Sequence, residues 1–172
     1  MTKNRSSKND PSHPLLTEEL LLRIAKLTHF HYLAKSAGER IEWDDPVAAD
    51  TAWENLREED RQQNLSQARS IPKKLELVGL EVADKSYDQR IRLTQAEIEI
   101  LAADEHQRWM AVKANQGYRY GKTRSDIPPR RHPDLRSYES LEDKTKEFDR
   151  RIARMLPTWL QRVGLGVRRR HP

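Results

Sequence analysis

A chain of 172 residues has room for one domain or two small ones and should bury about 70% of the surface that its unfolded form exposes. The absence of cysteine removes disulfides, a thiolate nucleophile and cysteine-based zinc sites, and no apolar run approaches the roughly 20 residues of a bilayer span. A net charge of +5 favours acidic partners, but Lys3, Arg5, Lys8 and Arg168, Arg169, Arg170 place much of it toward the ends, where solvated tails are the plainer reading.

Residues 1–13 are polar, have no signal-peptide centre and form an expected loose arm, so the protein is placed in the cytoplasm. From Thr17, apolar positions Leu21, Ile24, Ala25, Tyr32 and Leu33 recur at helical spacing up to Gly38. Asp44-Asp45-Pro46 breaks the chain, and Ala48 to Asn55 forms a short helix bearing Trp53. A helix from Glu58 to Ser70 should stop before Pro72, leaving Lys73 to Val78 as separate turns closed by Gly79. Leu80 to Leu93 reads as a connector with room for a short strand.

Thr94-Gln95-Ala96-Glu97 has the form of a capping box and opens a long helix to about Gln116. Gly117 to Leu135 holds too many breakers, among them Ile127-Pro128-Pro129 and His132-Pro133, to be helical. Ser140 is the expected cap of a helix from Leu141 to Leu156, after which Pro157 isolates a short terminal piece.

Leu56 to Val82 overlays Leu141 to Val167 without a gap: Pro72 meets Pro157, Leu75 meets Leu160, and Val78-Gly79-Leu80 meets Val163-Gly164-Leu165. Upstream, Ala25, His29 and Tyr32 match Ala102, His106 and Trp109. Each unit carries an apolar stripe it cannot cover alone, so a mainly α fold is expected, with two pseudo-twofold-related repeat units packed as one composite domain. The units run 14–90 and 91–167, with a basic tail at 168–172.

The second half carries Glu105, His106 and Trp109, then Lys113, Gly117-Tyr118-Arg119-Tyr120-Gly121, His132-Pro133-Asp134-Leu135, Tyr138, and Lys146, Asp149 and Arg150. That order resembles the ryanodine receptor domain, a tandem module of calcium-release channels that also occurs in small bacterial and phage proteins. Tyr118 stands where tryptophan is usual in that family. The resemblance extends from about Pro14 to Val167 and is weaker in the first half. It implies a helical tandem repeat and, from the stand-alone members, a sensor of nucleotide-derived small molecules.

Glu105 lies on an apolar line of its helix, where a carboxylate must meet either an internal partner or a ligand. His106, matched by His29, reads first as a packing residue. Trp109, Tyr118 and Tyr120 beside Lys113, Arg119, Lys122 and Arg124 combine flat apolar faces with positive charge, which suits a nucleotide and equally suits ordinary packing. A hollow lined by Trp109, Tyr118, Tyr120 and Arg124 is the expected form of the site. His132 either holds a carbonyl or faces that hollow, and Lys146, Asp149 and Arg150 suggest an ion-pair network across the dyad. The candidate ligand-binding set is Glu105, His106, Trp109, Lys113, Tyr118, Tyr120, Arg124, His132 and Tyr138.

No nucleophile elbow, phosphate-cradling glycine loop or metal-ligand series appears, so no catalytic residue, metal or cofactor is expected. The leading expectation is a non-catalytic module that binds a small anionic, nucleotide-derived ligand, as a sensor or a sequestering protein. A protein-interaction module, with homo-oligomers compatible, is the alternative. Nucleic-acid binding through the basic tails ranks below both, and no membrane partner is expected.

Overall fold

The computed structural model describes residues 13–36, 38, 45–85 and 91–170. Most of the N-terminal arm, the stretch between Gly38 and Asp45, the middle of the connector and the last two residues lie outside them. Within the described residues the chain is mainly helical: α1 is Glu18–Ser36, α2 Pro46–Glu54, α3 Glu58–Glu76, α4 Gln95–Asn115 and α5 Asp143–Arg162. Four short strands are added, β1 Leu80–Asp84, β2 Arg119–Tyr120, β3 Arg131–His132 and β4 Leu165–Arg169.

Caps set most of the boundaries. The Asp45 carboxylate accepts from the Ala48 N–H ahead of α2, and Thr94 and Glu97 form the full capping box at α4. At the opposite ends, Gly79 and Gly164 take positive φ, 67° and 81°, which lets the chain leave α3 and α5 without a Cβ penalty and turn into β1 and β4.

Three local expectations give way. α3 runs through Pro72 and α5 through Pro157. Each proline removes one backbone donor, yet Ile71 and Leu75, and Leu156 and Leu160, are fully buried on either side. A buried large apolar side chain contributes about 1.5–3 kcal/mol, so two of them outweigh the ~3 kcal/mol of an internal proline. Ser140 does not cap α5: it closes a 3-10 turn, Tyr138–Ser140, and Glu142 precedes the helix instead. Arg168 and Arg169 are no tail, because they end β4, where they pair with Glu81 and Glu97.

α1 packs on α3 and α4 on α5, with α3 against α4 and α1 against α5 joining the two pairs. One core results, in which Leu21 and Ile24 meet Ile71, Leu75, Leu101, Leu156 and Leu160. β1 and β4 close one end of it as an antiparallel pair, with Leu80, Val82, Leu165 and Val167 facing in and Val82 opposite Val167. No described helix is long and apolar enough to cross a membrane.

His31 sits inside this core at the α1–α5 contact, where its Nδ1 accepts the Trp159 indole N–H at 3.3 Å. Burial first, and Arg162 second, bring its imidazole from the ordinary 6.5 down to about 4. The unfolded chain therefore binds the extra proton between those values, so this stabilisation is complete above pH 6.5 and is lost as pH falls toward 4. Urea unfolding should reveal an acid loss of about 3 kcal/mol that His31→Gln, which keeps an acceptor but does not titrate, abolishes. Equal acid losses in the two proteins would remove His31 from the account.

Candidate functional site

α4 presents two adjacent faces to two different neighbours. Leu101, Glu105 and Arg108 look toward α3, whereas Ala102, His106, Trp109 and Lys113, spaced three and four apart, look toward α5 and the segment after α4. The first face is a brace and the second carries the candidate site.

On the bracing face Glu105 is 1% exposed. Its carboxylate takes Arg108 through two nitrogens, with Nη2 at 2.6 Å, accepts from Gln67 Nε2 at 2.9 Å and lies 3.3 Å from Lys74 Nζ. Lys74, itself buried, is also paired with Asp104. Burial alone raises the Glu105 carboxyl, but Arg108 and Lys74 outweigh it and hold the net value below the usual carboxylate range. Every direction around this carboxylate is thus occupied by α3 or by its own helix. Arg108 was legible as a partner three residues along; Lys74 and Gln67 were not, since only the α3–α4 packing brings them in.

His106 is buried as well. Its Nε2 donates to the Arg136 carbonyl at 2.8 Å and its Nδ1 lies 3.3 Å from the Asp149 carboxylate. Burial pulls the imidazole down, yet Asp149 and the Arg136 carbonyl outweigh it and leave it above its ordinary value. The ring stacks on Trp109 at 5.5 Å and tilts against Tyr138. Tyr138 donates to Glu99 at 2.9 Å and lies under Lys146, with its hydroxyl pushed up to about 12 by burial and by Glu99. Arg150 joins Glu99 and Asp143. The Lys146, Asp149 and Arg150 contacts therefore hold α5 to α4 within the second half, and do not reach across to α1 or α3 as expected.

Beyond α4 the segment to Leu135 is organised by the parallel pairing of β2 with β3, Arg119 opposite Arg131 and Tyr120 opposite His132. Residues 117–136 carry six arginines and lysines against two aspartates, so this segment is a further concentration of positive charge besides the two ends. Gly121 passes over Arg131 so closely that an added Cβ would sit 2.9 Å from the Arg131 Cβ. Gly121→Ala should force the two strands apart and lower stability by about 1–3 kcal/mol, read by thermal unfolding. An unchanged midpoint would mean the segment can shift freely.

Tyr118 fills the space under the segment where a hollow was expected. Its ring is buried between Lys113, 4.7 Å from the centroid, and Arg130 at 5.3 Å, and its hydroxyl donates to Asp126 at 2.8 Å. Asp126 also takes Arg124, and Arg130 is bound to Glu59 of α3 at 2.6 Å. What remains open is a shallow face. His132 meets Trp109 edge to face at 4.9 Å, Lys113 lies one helical turn beyond Trp109, and Tyr120, half exposed, flanks His132 across the strand pair. Arg124 borders this face through Asp126, with which it pairs at 3.1 Å and which accepts from the Tyr118 hydroxyl.

Three donors of this face lack an acceptor among the described residues. Lys113 is 9% exposed and makes no ion pair or hydrogen bond with the described residues, and the indole N–H of Trp109 likewise has no acceptor among them. His132 Nδ1 accepts the Asp134 N–H at 3.2 Å, so in the neutral ring the proton sits on Nε2, which also has no acceptor there. None of the three is sealed from solvent. Burial lowers the Lys113 ammonium, Asp60 opposes this and Arg124 adds to it.

Of the nine candidate residues, the structure brings together Trp109, Lys113, Tyr120, Arg124 and His132 on one face. It places Glu105, His106, Tyr118 and Tyr138 among internal partners. A separate cavity of about 260 Å³ opens between α1, α2 and the end of α5, beside Arg23, Leu27, Pro46 and Ala49, and shares no residue with that face. Among the described residues no three acidic or histidine side chains are placed to hold a metal ion. A family model described as the RyR domain matches residues 90–169, and no curated protein matches the chain.

Proposed function

Residues 90–169 are an RyR domain, and from that premise we propose that the chain is a non-catalytic module that binds a small anionic, nucleotide-derived ligand on the face of Trp109, Lys113, Tyr120 and His132. The observation that carries this reading is Lys113: a buried ammonium with no carboxylate or carbonyl partner among the described residues. Folding such a charge partly away from water with no carboxylate or carbonyl beside it is unfavourable, and an arriving anion would offset that penalty. Arg130 and Arg124 already have carboxylates, whereas Lys113, beside the rings, has none among the described residues.

The rings give the ligand its second feature. Tyr120 lies half exposed beside His132, and Trp109 is backed by His106 on one side. A base can stack against such a surface while its phosphate meets Lys113 and His132. His106 acts here through Trp109, which it holds in place together with Asp149. Such a module would act as a cytoplasmic sensor or sequestering protein.

A thermal-shift panel of adenine nucleotides with cyclic and linear ADP-ribose tests this reading. At least one compound should raise the melting temperature of the wild type and not of Lys113→Met. No shift with any compound, together with tight salt-sensitive binding of DNA or RNA, would replace it with the nucleic-acid reading.

We also read the chain as a tandem repeat. α3 and α5 have nearly equal lengths, each contains a proline in its last turns and each leads through a positive-φ glycine into a strand. The antiparallel register supports the reading further, because Val82 faces Val167, the pair that the gapless overlay of the two halves equates.

A further inference from the structure

The charges around the open face narrow the class of anion, provided that the reading of this face as an anion site holds. Lys113 supplies one positive charge that no carboxylate among the described residues takes up, whereas Arg124 is taken up by Asp126 at 3.1 Å. On a partly desolvated face each negative charge a ligand adds calls for a compensating positive one. A monoanion would satisfy Lys113 alone, and a dianion needs one more positive charge.

His132 is placed to provide it. In the free protein its Nδ1 accepts the Asp134 N–H, and the Asp134 carboxylate lies 3.9 Å from that same nitrogen. A proton added at Nδ1 therefore has a waiting acceptor, while Nε2–H continues to point at the ligand. The groups acting on the ring from α4 and the loop are Lys113, Arg124, Asp126 and Asp134. Burial is the strongest influence and holds the free imidazole below its ordinary value, with Asp134 opposing and Arg124 and Lys113 assisting, so the ring is neutral near pH 7 and able to accept a proton.

We propose that the anionic end of the ligand is a terminal phosphate monoester, bound as the dianion between Lys113 Nζ and His132 Nε2, with one proton taken from solvent onto His132 Nδ1. Nδ1 then passes from accepting the Asp134 N–H to donating to the Asp134 carboxylate. A monoester carries a charge of about −1.5 to −2 at neutral pH, whereas a diester stays near −1, so the face discriminates between them. Affinity falls as pH rises above neutrality, because the proton on His132 becomes harder to supply.

Calorimetric titration of the full chain with adenosine 5′-monophosphate and with adenosine 3′,5′-cyclic monophosphate, near pH 7 in two buffers of different ionisation enthalpy, tests this. The monoester should bind at least about tenfold more tightly, with net uptake approaching one proton. His132→Asn should erase the uptake and most of the preference, and Lys113→Met should abolish binding of both. Equal affinities, or monoester binding without proton uptake, would overturn this inference and leave the anion site standing. Failure of both esters to bind, while another anion of the panel stabilises the protein, would overturn it too. If no anion binds at all, the site itself is refuted.

Discussion

Replacing Glu105 with alanine should destabilise the fold by about 3–5 kcal/mol, the range seen when one member of a buried charge cluster is removed and the others remain. Lys74 is 0% exposed and would keep only Asp104, and Arg108 would lose its bidentate acceptor while still tied to Gln63. Gln67 would also lose the acceptor of its amide. In a chain of this size the loss corresponds to a fall in melting temperature on the order of 10 °C. Glu105→Gln, which can still accept from Gln67, should lose less. Because this cluster ties α3 to α4, the damage should appear as one cooperative shift of the whole transition. A change below about 1 kcal/mol for the alanine variant would show that the cluster is dispensable.

Lys113→Met should do the reverse, separating binding from stability. The substitution removes a half-desolvated ammonium that has no carboxylate or carbonyl partner among the described residues, only the Tyr118 ring, and it leaves an apolar stem of similar length against that ring. Stability should stay level or rise by up to about 1 kcal/mol. Affinity for the anionic ligand should fall by about ten- to a hundredfold, the value of one charge-assisted hydrogen bond. Arg124→Ala should weaken binding far less, since that side chain is exposed and already engaged by Asp126. If Lys113→Met lost both stability and binding, the lysine would be a structural residue and the open face would lose its main support.

Periodic burial was the part of the fold most legible in the sequence. The α1 and α4 helices and the Thr94 capping box follow from local spacing, but the α1 stripe is buried only at Leu21, Ile24 and Ala25, while Tyr32 and Leu33 are exposed. The two prolines were misread because the rule for proline is local, whereas the burial of Ile71, Leu75, Leu156 and Leu160 that overrides it is a property of the assembled core. β4 was invisible for a similar reason: Arg168-Arg169 reads as the start of a basic tail until β1 supplies the partner strand and Glu81 and Glu97 supply the counter-charges.

At the candidate site the residue types were legible and their partners were not. A carboxylate on an apolar line announces that Glu105 must be satisfied, but not that Lys74 and Gln67 of α3 satisfy it. Tyr118 and Lys113 look alike in the sequence as members of one aromatic and basic cluster. Packing divides them: the Tyr118 ring and hydroxyl are consumed by the loop, and the Lys113 ammonium is left without an acceptor. An unsatisfied donor is a fact about three dimensions, and no spacing rule reveals it.

The most direct measurement is a nitrogen–proton NMR titration of the full chain with adenosine 5′-monophosphate, following the side-chain N–H signals of Trp109 and Trp159. The two indoles are on different sides of the molecule, Trp109 on the open face and Trp159 in the core against His31. The Trp109 signal should move in step with the His132 ring, saturably, while Trp159 stays still. Movement of Trp159 with Trp109 unchanged, or no movement of either at saturating ligand, would contradict the assignment of the site.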